Sequence, residues 1–549
     1  MLAAAALTVA ACQSPRKATF ASFAYSGHDA RFERTIDARN EYLNPVIAGF
    51  YSDPSICRKG DDYFLVTSTF AFYPALPVFH SRDMVHWRQI GSAIDRPDQL
   101  PLDSLGFNRA VYAPDISYNP HNDTFYIINT CVDGIENYVI KCRDPFEGNW
   151  SDPIALPEVE GIDPSLFFDD DGKAYLLHNG MPPQERQWNS HRALWMWEYD
   201  TDNDRVVGQP TLLLDGGLDF AAQPEWLEGP RVYKRNGHYY LLAAEGGTYE
   251  YHSQIALSAD NALGPYTPCA INPILTQRDL PEQREDKVTC TGHADIIETP
   301  DGEWYAIFHG CRPYDGNHYN TGRETFLLPV EWTDDTPVIL AAGEAVPTVV
   351  RKSGLESCDS PTTGNFAWST DFAEGLDGRW IMIRTPRHGM PQTSRRGLTL
   401  SDNGIAISTG TASPSFVGFR QQHTSFDAST RMTFTPSEGA FAGIALYQND
   451  RHYILFGKTL EDGAQRLIVE RCEKDSAERI ASLPLTAAQA SGWVELSVAC
   501  DGGSCAFSAS FADGTSVQAA GGVDARNLST HVARGFNGVI IGPYTGPIE

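Results

Sequence analysis

The chain has 549 residues, more than one ordinary domain, and 42 % of them are hydrophobic, enough to build cores. Its 70 acidic residues outnumber the 42 basic ones, for a formal net charge of −28. That balance argues against nucleic acid and against an anionic membrane surface, since both select basic patches, and it suits a neutral substrate.

In chain order, residues 2–11 form an apolar run too short to span a bilayer and of the length of a signal h-region. Val9-Ala10-Ala11-Cys12 resembles a bacterial lipoprotein box, although no basic residue precedes the run. The expectation is a signal segment over 1–12 and export to the periplasm or cell surface. There the chain would be anchored to a membrane through a lipid on Cys12. Residues 13–43 show little periodicity and read as a polar tether.

From Asn44 to about Leu340 the pattern is nearly all strand, and one unit recurs five times. A polar residue precedes an apolar strand, a Gly or Asp turn breaks it, and an aromatic-rich strand follows. The copies open at Asp53, Asp115, Asp163, Glu228 and His293 and resume at Tyr63, Phe125, Tyr175, Tyr239 and Trp304. A repeat of about 50–65 residues, five times over, predicts a five-bladed β-propeller across 44–340. Because inner strands line the central channel, the five polar residues are expected at one level around one axis. Four carboxyl groups and an imidazole in one funnel are costly unless used or paired. Trp87 and Trp150 follow short polar turns and read as packing residues.

Residues 341–353 read as a linker. Residues 354–549 alternate as strands (404–408, 431–435, 443–448, 452–458, 466–471, 494–500 and 539–542) and predict a β-sandwich without a carboxylate constellation. Trp368, Phe372 and Trp380 there read as core. Setting Cys12 aside, ten cysteines remain; Cys131 and Cys142 could face across a hairpin, and Cys500 and Cys505 could close a tight one. The lack of a CxxC pair argues against structural zinc.

The stretches Asn44–Ile56, Phe72–Trp87, Ile162–Leu166, Leu227–Pro230, Gly292–Ile296 and Gly322–Leu327 resemble motifs of glycoside hydrolase family 43, in that order. The C-terminal part is similar to the concanavalin-like sandwich of its β-xylosidase and arabinofuranosidase members. The resemblance implies an exo-acting, inverting hydrolase that removes terminal α-L-arabinofuranose or β-D-xylose from plant polysaccharide or its oligosaccharides, with arabinofuranose slightly preferred. Asp53 would be general base, Glu228 general acid, and Asp163 the neighbour that raises and orients Glu228. Arg323 and Phe72 would contact the sugar, Tyr112 stands where many relatives have Trp, and His293 lies at the pocket floor, where a calcium ion is often found. Physics alone makes one His a poor calcium site, and no cofactor is required. Asp115 has no catalytic role in the family and reads as a structural hydrogen bonder. The alternatives are an endo-arabinanase, and a surface lipoprotein that binds carbohydrate without cleaving it.

Overall fold

The computed structural model of the protein describes residues 16–356, 361–387 and 389–548; Cys12 and the expected signal segment lie outside them. The fold is all-β: a five-bladed propeller followed by a β-sandwich. Blade one is the antiparallel sheet Ser55–Lys59, Asp62–Val66, Ala75–Ser81 and Arg88–Ile94. The next three blades open with Asp115–Asn119, Ile162–Phe168 and Glu228–Arg235, and blade five with Thr289–Glu298. Their first hairpins turn on residues that tolerate the left-handed region. Asn236 and Gly237, both at positive φ (53° and 83°), give blade four the primed turn that matches strand twist.

The inner strands share a level, but not the one expected. Asp53, Asp163 and His293 all enter their strands with φ near +52°, and in blade four that conformation belongs to Gly229 (φ 58°), not Glu228. Glu228 therefore stands one residue earlier. Asp115 lies deeper, level with Ser55 and Asp295. Its Oδ1 accepts from Ser55 Oγ at 3.2 Å and Arg231 Nε at 3.3 Å, and its Oδ2 from the Leu166 N–H at 3.1 Å. The expectation of five polar groups at one level is corrected accordingly: two levels exist, and the deeper one ties blades together. Asp295 closes that ring by accepting from Ser55 Oγ and the Ile56 N–H, each at 2.9 Å. On the outside, residues 44–47 cover the edge of blade five. Ile47 and Thr325 exchange backbone hydrogen bonds of 3.2 and 3.1 Å, so the edge is not left as an open template. Trp87 and Trp150 are buried in the blades, as their turns suggested.

Of the tether expected over 13–43, the described residues 16–43 form something else. Lys17–Gly27 is a strand in the larger sandwich sheet, paired with Gly397–Ser401 and Ala367–Thr370 on one side and with Ser425–Thr433 on the other. Ala18, Phe20, Phe23 and Tyr25 point into the core. Glu41–Leu43 then pairs with Val349–Arg351, inside the expected linker. The second sheet is built on Ala440–Asn449, His452–Glu461, Ala464–Glu473 and Ile540–Pro547. Residues 404–408 form turns rather than the expected strand. Trp380 and Phe372 are buried, and Trp368 packs on Phe23 at 5.9 Å between ring centroids. Cys500 and Cys505 form a disulfide, whereas Cys131 and Cys142 are free; Cys131 lies opposite Glu136, and Cys142 opposite Phe125.

A buried ion group locks the two domains. Arg312 of blade five reaches Glu324 at 2.5 and 2.8 Å, Asp29 at 2.7 Å and the Gln422 carbonyl at 3.0 Å. Asp29 in turn accepts from Thr424 Oγ1 and the Ser425 N–H of the sandwich. Charges buried this deeply are stable only when fully paired, so the domains are held in one relative position.

Phe23→Ala tests the role of the first strand. Phe23 is fully buried against Trp380 and Phe419, each 5.5 Å away, and truncating such a side chain costs about 3–5 kcal/mol. Chemical denaturation should show that loss; a change below about 1 kcal/mol would mean that the strand is an ornament of the core.

Candidate active site

Asp53, Asp163 and Glu228 come together at one end of the propeller channel, each less than one-tenth exposed. Asp53 is the most tightly held. His309 Nδ1 lies 2.9 Å from its Oδ1, Arg323 Nη1 lies 3.4 Å from the same oxygen, and Ser68 Oγ donates to Oδ2 at 2.7 Å. Burial pushes this carboxyl up, but the His309 hydrogen bond and the nearby charge of Arg323 outweigh it and hold Asp53 well below the usual range.

The other two acids go the opposite way. Burial, then the charge of Asp53, pushes Asp163 up to about 7, although the Gly229 N–H bonds its Oδ2 at 3.3 Å. Burial, then Asp163, pushes Glu228 well above the carboxylate range, against the pull of Arg323 and Arg192. One carboxyl is thus kept ionised and another kept protonated within a single site, the condition for paired acid–base work.

Arg323 bridges the acids and the wall. It donates to the Thr248 carbonyl at 2.8 Å and lies over the Phe536 ring, 4.9 Å from its centroid. It is no partner of Glu324, which belongs to Arg312. Phe536 comes from the sandwich. It stacks on Phe70 at 5.4 Å and meets Tyr112 edge-on at 6.2 Å. Tyr112 is anchored by its hydroxyl on the Asn108 carbonyl at 3.0 Å and senses the charge of Asp163. Phe72, expected as the apolar wall, is fully buried between Phe50 and Phe107. Its short strand pairs with Met382–Ile383 of the sandwich, so Phe72 joins the domains instead of facing a sugar. Phe536, partly exposed over Arg323, is the aromatic surface there, with the buried Phe70 stacked behind it.

Residues 42–337 match the family described as glycosyl hydrolases family 43, and residues 369–546 match the β-xylosidase C-terminal concanavalin A-like domain. The chain belongs to glycosyl hydrolase family 43. It is 37 % identical over 431 residues to a xylosidase/arabinosidase of Butyrivibrio fibrisolvens, covering 75 % of this chain and 78 % of that protein. It is 32 % identical over 518 residues to the non-reducing end α-L-arabinofuranosidase BoGH43B of Bacteroides ovatus, covering 92 % of each. Among solved structures, a GH43_12 protein retrieved from a capybara gut metagenome superposes with a TM-score of 0.89 at 38 % identity. That match covers 97 % of this chain and all of the other. As a family-43 member the protein is a glycoside hydrolase.

In this family-43 site His293 lies under the acids. Burial lowers its pKa to about 3 and keeps the ring neutral. A Cβ at Gly229 would stand 2.9 Å from His293 Cε1, so the close approach and the positive φ together demand glycine. The side chains beside His293 do not fit calcium. The stacked ring of His309 is a neighbour (6.0 Å), and no group of three or more His, Cys, Asp or Glu among the described residues can hold a metal. Calcium asks for six to eight oxygens.

Sequence reasoning missed His309, Ser68, Phe70 and Phe536. His309 did carry a signal, as the one polar residue amid Trp304–Phe308 and Gly310 of a wholly buried strand. Phe536 carried none.

Proposed function

We propose that the protein is an exo-acting, inverting hydrolase that releases terminal α-L-arabinofuranose or β-D-xylose from plant hemicellulose or its oligosaccharides. The observation that carries this is one buried site in which His309, Arg323 and Ser68 hold Asp53 in its ionised form, while burial and Asp163 favour the protonated form of Glu228. Asp53, ionised, takes a proton from water as that water attacks the anomeric carbon. Glu228, protonated, gives its proton to the departing glycosidic oxygen. Asp163 keeps Glu228 protonated and, through the Gly229 N–H, fixes the backbone that carries it. The oxocarbenium-like transition state needs both partners at once. Arg323 and Tyr112 hold the sugar, with no cofactor in any step.

The Phe536 loop supports exo attack, because a sandwich segment standing over Arg323 and against Tyr112 obstructs a through-running polymer. The relatives' names support both pentoses. Product analysis on arabinoxylan, arabinan and xyloglucan fragments, with the anomer followed by NMR, is the test. Inverted monosaccharide as first product is expected; retained configuration, or internal cleavage of arabinan, would overturn the reading. Export with lipid on Cys12 is the companion proposal, supported by the Cys500–Cys505 disulfide, since disulfides persist in oxidising compartments. Mass spectrometry of the membrane fraction tests it.

A further inference from the structure

Among the arginines near the site, Arg192 has donors to spare. It lies in the loop between Ala174–Gly180 and Ala193–Asp200 of blade three, half-buried, in a protein with 70 acidic residues. Its guanidinium rests on the Trp226 ring, 4.5 Å from the centroid, and Nη1 donates to the His191 carbonyl at 2.8 Å. Among the described residues no carboxylate pairs with it, and the acid whose field it feels is Glu228. A guanidinium carries five N–H donors in a planar fork, and most of these are uncommitted.

Its support is built. Trp226 stands two residues before Glu228, takes the left-handed region (φ 50°) and donates its N–H to the Ser190 carbonyl at 3.3 Å. A bulky residue held at positive φ is strained backbone that the surroundings impose. That hydrogen bond ties the Arg192 loop to the segment leading into the acid. Beside it, Trp188 stacks on His191 at 4.0 Å and meets Phe220 edge-on at 5.2 Å; Phe220 is nearly half exposed. Aromatic faces and a free planar fork are what sugar rings and their hydroxyls engage. The location fixes which sugar. Asp53 and its water act on one face of the terminal pentose, whereas Glu228 protonates the oxygen leading to the next residue. A group beside Glu228 therefore faces the leaving group.

We propose that Arg192, seated on Trp226, is a specificity residue of the leaving-group side, whose guanidinium hydrogen-bonds the hydroxyls of the neutral pyranose that carries the terminal pentose. The inference rests on the hydrolase reading above and adds that the preferred leaving group is a sugar chain.

The test compares a disaccharide or short oligosaccharide with the nitrophenyl glycoside of the same terminal pentose, which puts no sugar in this position. In Arg192→Ala the ratio of kcat/KM for the sugar substrate to that for the aryl glycoside should fall about 10-fold, the scale of losing hydrogen bonds from a charged donor. Because Arg192 draws the pKa of Glu228 down, its removal raises that pKa. The alkaline limb of the aryl-glycoside profile should then move to higher pH, which a purely structural defect would not produce. Arg192→Lys keeps the charge and loses the fork, so its ratio should fall with the limb in place. An equal loss on both substrates, in a variant whose limb does not move, overturns the proposal. Wild-type inactivity on every pentoside would instead sink the hydrolase reading beneath it.

Discussion

Glu228→Gln should cut kcat/KM on oligosaccharides by about 10²–10⁴-fold, the usual share of general acid catalysis, and far less on a dinitrophenyl pentoside. The reasoning is local. A sugar alkoxide is a poor leaving group and cannot depart without a proton, whereas a dinitrophenolate can. Burial and the neighbouring Asp163 keep the Glu228 proton in place at neutral pH. Glutamine preserves the shape of the side chain and has no such proton. The alkaline limb of kcat/KM, which reports loss of that proton in the free enzyme, should disappear with it. The limb of the unaltered enzyme belongs to Glu228 and Asp163 together, since the two titrate as a coupled pair. Steady-state kinetics across leaving groups of graded acidity make the check; a loss of the same size for all of them would remove Glu228 from the acid's role.

Asp53→Asn should lose about as much, or more, and should do so for every leaving group alike. Water must be deprotonated whichever group departs, and an amide cannot accept the proton. Asp53 is held well below the carboxylate range by His309 and Arg323 despite its burial, so the base is ready even in mildly acidic solution. The acidic limb of the native profile should accordingly fall at unusually low pH and vanish in the variant. Ser68 and His309 can still bond the amide, but Arg323 loses its buried carboxylate, so the unfolding midpoint should fall, and turnover is compared at a temperature where the variant is fully folded. A variant that kept a tenth of native turnover on both kinds of substrate would dismiss Asp53 as the base. Together the two variants separate acid from base, because only the loss of the acid depends on the leaving group.

Much of this site was legible in the sequence because its residues sit at the openings of repeated strands. Asp53 and Asp163 precede Pro and begin apolar inner strands, and Glu228 precedes Gly-Pro. What the repeat could not give was level. A shift of two residues along a strand keeps a side chain on the same face, so Asp115 looked equivalent to Asp53 while sitting in the ring below. Only backbone conformation, the recurring positive φ at Asp53, Asp163, Gly229 and His293, separates the levels. The strand Lys17–Gly27 was readable in principle: Ala18, Phe20, Phe23 and Tyr25 mark a buried face, interrupted where the pairing register shifts between Phe20 and Ser22. Phe536 was not readable, because its role comes from domain packing, and nothing local distinguishes it from a core phenylalanine. The misreading of Phe72 has the same origin.

The placement of that first strand bears on how the molecule is made. The sandwich holds residues from both sides of the propeller, so the propeller is in effect an insertion within it. During synthesis from the N-terminus, Lys17–Gly27 emerges first, yet its long partner Ser425–Thr433 follows some four hundred residues later. Until then a segment bearing Phe20, Phe23 and Tyr25 lacks that partner, although the strands of all five blades precede it in the chain. The nascent chain therefore carries a sticky, unpaired ribbon through most of its elongation, a natural station for a holding chaperone. No single proteolytic cut between the domains could yield an intact sandwich.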